Sequence, residues 1–276
     1  MELIVQGRRA YAYTGGKPFD PRLPCVVFIH GAQHDHSVWG LQTRWLAHHG
    51  HGVLAFDLPA HGRSEGVLRD DGTYGPLADI ETAADWIAAA LDAAGVVRAF
   101  VVGHSMGSLI ALETAARHPA RVARLALVGS AYPMKVSDAL LDAARNDEPR
   151  AYAMINAWSH ATIAAKPSAP APGFWLHGAN LRLMERQHPG VLLNDLAACN
   201  AYAHGEEAAA AVRCPTLAVL GGADLMTPVK AGRALAGKIE DHQIEVVPGC
   251  GHAIMSEAPD ALREALAAFF MAAQTA

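Results

Sequence analysis

Three side chains able to carry out acyl transfer stand just beyond apolar runs that read as strands. Ser105 lies in Val101-Val102-Gly103-His104-Ser105-Met106-Gly107, an apolar run that ends in Gly-x-Ser-x-Gly and leads into a helical pattern over 108–117. A serine between two glycines at a strand-to-helix corner predicts a nucleophile elbow: the turn is sharp, the glycines lack the side chains that would clash in it, and the hydroxyl is left exposed. The N–H groups of the new helix point toward negative charge developing on a substrate. A serine hydroxyl is a weak nucleophile until a base accepts its proton.

His252, in Pro248-Gly249-Cys250-Gly251-His252, sits among loop glycines on no apolar face. An imidazole titrates near neutrality, so it can take the serine proton and return it to a leaving group. With 15 histidines in the chain, one histidine alone carries little weight. Asp224, in Gly221-Gly222-Ala223-Asp224-Leu225-Met226-Thr227-Pro228, can cap the helix that follows, or orient the histidine and stabilise its cation. What raises all three is their order, Ser105, Asp224, His252, each after its own strand, which is the order of one known triad arrangement. An earlier strand ends in His30-Gly31-Ala32-Gln33, a glycine-bearing loop that can turn the Ala32 N–H toward a substrate carbonyl. Paired with the Met106 N–H it would form an oxyanion hole, in which each donor is worth about 3 kcal/mol of barrier.

The elements that must position these groups follow a strand–helix rhythm. Residues 1–14 alternate weakly, as an opening hairpin does. Cys25-Val26-Val27-Phe28-Ile29, Val53-Leu54-Ala55-Phe56, Leu125-Ala126-Leu127-Val128 and Thr216-Leu217-Ala218-Val219-Leu220 are continuous apolar runs, expected of strands buried on both faces. Gln243-Ile244-Glu245-Val246-Val247 reads as a last strand. Helical patterns fall between the strands, one of them capped by Ser37 with Val38, Leu41, Trp45 and Leu46 on one face, another over 77–94. The rhythm predicts an α/β fold with a mostly parallel sheet and helices on both faces.

Over residues 133–212 the rhythm breaks. Ala-rich helical patterns surround a Pro-rich loop at 166–173, and Met134, Tyr152, Met154, Trp158, Phe174, Trp175 and Met184 need a surface to cover. The expected division is a core of residues 1–132 and 213–276 with an inserted helical cap over 133–212. Expected pocket-lining residues are Gln33 and His36 near the oxyanion loop, Trp158 and Trp175 in the insertion, and Met226 beside Asp224.

Taken together, His30-Gly31, Asp57-Leu58-Pro59-Ala60-His61-Gly62-Arg63-Ser64, Gly103-His104-Ser105-Met106-Gly107, Gly222-Ala223-Asp224 and Gly251-His252 resemble the α/β-hydrolase fold family, in its esterase-like serine-hydrolase branch with a helical cap. The resemblance implies Ser105 as nucleophile, His252 as base and Asp224 as acid. His61 and Arg63 are expected to brace their loop, and Ala60 stands where the family loop usually has glycine, with no functional consequence expected. Serine at the elbow sets the chain apart from similar haloalkane dehalogenases and epoxide hydrolases, which place Asp there. The expected activity is cleavage of a small or medium carboxylic ester through an acyl-enzyme. Lactonase, amidase and carbon–carbon bond hydrolase are rival hydrolase readings, and a cofactor-free haloperoxidase or a hydrolase-like ligand receptor are rivals of other classes.

Composition bounds the rest. Of 276 residues, 51% are hydrophobic, enough for a sizeable core, and a net charge of −5 gives no electrostatic reason to expect nucleic acid or an anionic membrane as partner. The expected partner is a small-molecule substrate; a homodimer is compatible with the sequence. No apolar stretch nears the roughly twenty residues of a membrane span, and the first residues lack the basic, apolar pattern of a signal peptide. Cys25, Cys199, Cys214 and Cys250 show no CxxC spacing, so free thiols in a cytoplasmic protein are expected. His34-Asp35-His36 is expected to be loop structure or pocket lining rather than a metal site, with no cofactor and no metal.

Overall fold

The computed structural model describes residues 1–161 and 175–271; the Pro-rich loop expected at 166–173, and Phe174, lie outside them. The chain opens with the hairpin β1 (Glu2–Val5) and β2 (Arg8–Tyr13), then β3 (Cys25–Ile29), α1 (Gly40–His48), β4 (Gly52–Phe56), a small hairpin β5 (Val67–Leu68) and β6 (Tyr74–Gly75), α2 (Ile80–Ala93), β7 (Ala99–His104), α3 (Met106–Arg117) and β8 (Val122–Val128). Helices α4 (Asp138–Asn146), α5 (Glu148–Ser159), α6 (Leu176–Glu185), α7 (Val191–Ala201) and α8 (Gly205–Ala211) follow. The rhythm resumes with β9 (Thr216–Gly221), α9 (Val229–Ala236), β10 (His242–Val247), a short α10 (Ile254–Glu257) and α11 (Pro259–Met271). The main sheet has the order β1-β2-β4-β3-β7-β8-β9-β10, antiparallel through β1, β2 and β4 and parallel from β4 to β10.

Period-two alternation explains why β3 is apolar throughout. Val27 and Ile29 pack with Leu109, Leu112, Trp86 and Leu91 of α2 and α3, whereas Val26 and Phe28 pack with Trp39, Leu46 and Phe270 on the other face. A third cluster, with Leu140, Tyr152, Ile155, Met184, Leu192 and Leu196, gives α4 to α7 a core of their own. Helix α8 packs on α3: Ala208 and Ala209 are buried in the cluster around that helix, where small alanines let the two lie close.

The α1 region also differs in detail. Asp35, not Ser37, caps a 3-10 turn over His36–Trp39, with Oδ1 accepting the Ser37 N–H. The register that results buries Gln42, Thr43, Leu46 and Ala47 and leaves Leu41 exposed. All four cysteines are buried free thiols, and no helix among the described residues is long and apolar enough to cross a membrane.

Candidate active site

Ser105 begins with its backbone. Its φ of 53° and ψ of −121° are strained for an L-residue. Neighbouring glycines make that strain tenable: a Cβ on Gly103 would overlap the Gly107 carbonyl, and one on Gly107 would overlap the carbonyl oxygens of Ile29 and His30. The Ser105 N–H donates to Val128 O at 3.0 Å, which locks the turn to β8.

From the other half of the sheet, β9 delivers Asp224 and β10 delivers His252. His252 Nδ1 lies 2.8 Å from Asp224 Oδ2. Because that carboxylate oxygen can only accept, Nδ1 carries the proton and Nε2 is the basic nitrogen. His252 Nε2 has no hydrogen-bond partner among the described residues. It lines one cavity with Ser105 without bonding to it, a looseness common before substrate binds. Of the two readings of Asp224, helix capping does not hold: the following helix starts at Val229 behind Pro228 with no side-chain cap, and Asp224 Oδ1 instead accepts the loop N–H groups of Met226 and Thr227, each at 2.8 Å, while Oδ2 faces the histidine. Burial alone would raise the Asp224 pKa, but the His252 charge and the bonds from His252 and Thr227 hold it below the usual carboxylate range.

Thr227 had no signal in the sequence beyond lying three residues after Asp224. Its hydroxyl donates to Asp224 Oδ2 at 2.6 Å and sits 3.1 Å from His252 Nδ1. Thr227→Val keeps the shape and deletes that donor. The expected result is a fall in kcat of about tenfold with KM little changed, read from steady-state kinetics.

The histidine loop is held from behind. The His252 N–H donates to Ser159 O at 2.8 Å, and His104 Nε2 lies 2.9 Å from His252 O, so it must be the donor there. Burial keeps His104 neutral, its pKa well below the usual value. Glu257 accepts from the N–H groups of Gly251 (3.1 Å) and Ala161 (2.9 Å), tying this loop to the end of α5. Burial pushes its carboxyl pKa up.

On the oxyanion loop, neither the Ala32 nor the Met106 N–H donates to a protein acceptor among the described residues, and Ala32 lines the cavity. Gln33 next to it is left-handed, with φ of 57°. Contrary to expectation Gln33 does not face substrate. It is fully buried and turned into the insertion: Nε2 donates to Tyr152 Oη (2.9 Å) and Met184 O (3.1 Å), and its backbone N–H donates to Asp195 Oδ2 (2.9 Å). A polar side chain beside the expected oxyanion loop suggests a pocket residue by sequence alone; partners 119 to 162 positions away decided otherwise.

Asp195 also receives His61 Nε2 at 2.9 Å. His61 Nδ1 lies 3.0 Å from the Pro59 carbonyl, which can only accept, so both ring nitrogens donate and the ring is a cation. Burial alone would lower the His61 pKa, but the Asp195 charge and hydrogen bond raise it overall. His61 thus braces its loop as expected, through a partner the sequence offered only as a lone charge in an apolar helix. Ala60 in the same loop has φ of 64°. Ala60→Gly relieves a left-handed conformation costing about 1 kcal/mol. The expected effect is a thermal midpoint raised by about 2 °C in a calorimetric scan.

His36 and Trp175 are corrections too. His36 is drawn out of the cavity by Asp57, whose Oδ1 accepts from its backbone N–H (2.8 Å) and lies 2.7 Å from its Nδ1. Trp175 is 64% exposed ahead of α6, where its ring covers Gly178 instead of the cavity. Trp158 and Met226 do line the cavity, with Leu140, Ile155, Leu196 and His34, the last from the segment read as loop structure or pocket lining. Its volume is about 490 Å3, and its lining is largely apolar, suited to a small or medium organic substrate.

Asp35, His36 and Asp57 bring three potential metal-ligand atoms within 4.8 Å of one another. Their oxygens are already engaged: Asp57 Oδ2 accepts from the Arg63 N–H, and Asp35 Oδ2 accepts from Arg186 and Gln187. The cluster is a set of loop struts.

The parallel sheet, the elbow and the residues beyond β3, β7, β9 and β10 define an α/β hydrolase. A family model described as the alpha/beta hydrolase fold matches residues 24–259, and the chain belongs to that family. Among its relatives, a protein named "Putative carbamate hydrolase RutD" from Azorhizobium caulinodans is 32% identical over 84% of this chain and 85% of its own. A pimeloyl-[acyl-carrier protein] methyl ester esterase from Chromobacterium violaceum is 30% identical over 83% of this chain and 87% of its own. In fold, the chain matches the enol-lactonase from Burkholderia xenovorans LB400 with a TM-score of 0.83 at 22% identity, over 98% of this chain and 100% of that one. The protein is a hydrolase of this family.

Proposed function

We propose that the protein cleaves small or medium carboxylic esters through an acyl-enzyme on Ser105. The observation that carries this is one apolar cavity lined by a strained serine, an aspartate-oriented histidine and Ala32, with the backbone N–H groups of Ala32 and of Met106, the residue after the serine, unengaged among the described residues. Ser105 Oγ attacks the carbonyl carbon while His252 Nε2 takes its proton. The Ala32 and Met106 N–H groups hold the oxyanion as it forms. The ester C–O bond then breaks, and His252 returns the proton to the departing alkoxide. Water enters, His252 deprotonates it, and attack on the acyl carbon releases the acid and regenerates Ser105. Asp224 stays ionised throughout and stabilises the imidazolium. Helices α4 to α7 act as the cap over this chemistry, with Trp158, Ile155 and Leu140 shaping the substrate's apolar side. The names carried by the relatives support this reading, since esters and carbamates are both opened by attack at a carbonyl.

The test is labelling with a fluorophosphonate followed by mass mapping, then a panel of esters, lactones and amides. Covalent label on Ser105 and the highest kcat/KM on short and medium esters are expected. No label on Ser105, or halide- and peroxide-dependent bromination with negligible ester turnover, sinks the reading.

A further inference from the structure

His34 lines the candidate active-site cavity together with Ser105, His104 and His252. The position of its proton can be deduced from the cap inward. The His177 carbonyl can only accept, so the amide nitrogen of Asn156 faces it, at 2.9 Å. Asn156 Oδ1 therefore faces Asn180, which presents its own amide nitrogen at 3.0 Å. That leaves Asn180 Oδ1 toward His34 Nε2, at 2.9 Å. An amide oxygen can only accept, so His34 Nε2 carries a proton. Burial lowers the His34 pKa to about 4, so at neutral pH the ring holds no second proton. Nδ1 is then a bare lone pair. It is buried and has no partner among the described residues.

A buried acceptor without a donor is costly, and a site that presents one selects molecules that supply the missing hydrogen. We infer that His34 Nδ1 is a specificity-determining acceptor, and that the preferred substrate carries a hydrogen-bond donor, an amide or carbamate N–H or a hydroxyl, close to the carbonyl that Ser105 attacks. The inference names the substrate class of the reaction proposed above and rests on that reading. Asn180 and Asn156 are positioning residues: they touch no substrate and act by holding the proton on Nε2. The neighbouring His104 Nδ1 is also unpartnered, but it packs under Gly31, where a Cβ would come within 3.1 Å of it, and has no room for a substrate donor.

The test uses isosteric ester pairs. Ethyl N-acetylglycinate is compared with ethyl 4-oxopentanoate, which has CH2 in place of N–H. Ethyl 2-hydroxypropanoate is compared with ethyl 2-methylpropanoate, which has CH3 in place of O–H. Each kcat/KM ratio is divided by the ratio for alkaline hydrolysis, which removes intrinsic reactivity. The wild-type protein is expected to favour the donor ester of at least one pair by about tenfold or more; the first pair responding identifies an N–H, the second a hydroxyl. In His34→Leu that ratio falls to within about twofold of one, and Asn180→Leu shrinks it through the tautomer alone, a change that a merely structural role would not produce. Both wild-type ratios near one, with Ser105 still labelled by the fluorophosphonate and the esters still turned over, overturn the inference and leave the hydrolase reading intact. So does a preference that survives in folded His34→Leu. An absent label overturns the hydrolase reading instead. Nitrogen-15 NMR of the imidazoles reads the tautomer without turnover: a proton on Nε2 alone supports the inference, and one on Nδ1 overturns it.

Discussion

Ser105→Ala is expected to lower kcat on the best ester about a million-fold, with the thermal midpoint nearly unchanged. The size follows from the geometry. Among the described residues, only this hydroxyl combines a position at the elbow with a basic nitrogen across the same cavity. Without it, attack falls to water, which no backbone turn has pre-positioned. The oxyanion donors and the cavity remain, so a residual thousand-fold or so over the uncatalysed rate is expected to persist. Stability changes little because the alanine inherits the same strained backbone, and the lost hydroxyl makes no hydrogen bond to the described residues. Substrate affinity persists for the same reason. Stopped-flow and single-turnover assays on purified variant, with mass analysis for acyl-enzyme, are the check. Retention of more than about one per cent of kcat would mean that Ser105 is not the nucleophile.

Asp195→Ala is expected to destabilise the protein by about 3–5 kcal/mol, because His61 must then either stay a buried cation without its carboxylate or give up the proton it shares with Asp195. Domains of this kind have only about 5–15 kcal/mol in total. The same carboxylate holds the Gln33 N–H, so the variant also frees the loop that carries Ala32. Loss of one oxyanion donor lowers kcat by about a hundred- to a thousand-fold, and KM is expected to move far less. A pH signature accompanies this. The folded-state pKa of His61 is raised above its ordinary 6.5. The stability it contributes is therefore fully present below that value and is lost as pH rises through the raised pKa. In the wild-type protein the thermal midpoint should fall as pH climbs above 6.5 toward and through that point. In Asp195→Ala burial dominates and depresses the pKa, so this loss disappears and the variant instead weakens on acidification. Differential scanning calorimetry across pH separates the two. Equal pH profiles for both proteins would show that the His61–Asp195 pair is not the latch described.

Much of the core was legible because parallel strands buried on both faces must be apolar throughout, and their ends must turn. Cys25 to Ile29 and Thr216 to Gly221 left no other reading. The places of Ser105, Asp224 and His252 were legible because each stands just past a strand, and a parallel sheet gathers such strand ends on one edge. The first helix shows where pattern reading falters. Ser37 could have served as a cap as well as Asp35, and the two-residue difference between them accompanies a register with Leu41 toward solvent and Gln42 inward.

Gln33 and His36 show a different limit. Both are polar residues next to an oxyanion loop, and their types suit a substrate pocket. Asp195, Tyr152 and Met184 claim the first and Asp57 the second. Hydrogen bonds across 21 residues for His36 and more than a hundred for Gln33 leave no local trace, since composition and periodicity record only which groups are polar, not which ones meet.

The sequence by itself determined the sheet, the elbow and the chain order of the candidate triad. Those features are written in short-range patterns: apolar runs, glycines where a Cβ cannot fit, and turn residues at strand ends. The tertiary structure alone decided which polar side chains face the cavity. It turned Gln33 away into the insertion, set His61 as a cation on Asp195, and left His34, which lines the same cavity as Ser105, with a nitrogen unpartnered among the described residues. The physical reason is that a buried polar group takes its role from its partner, and these partners come from α5, α6 and α7, brought to the sheet only when the chain has folded.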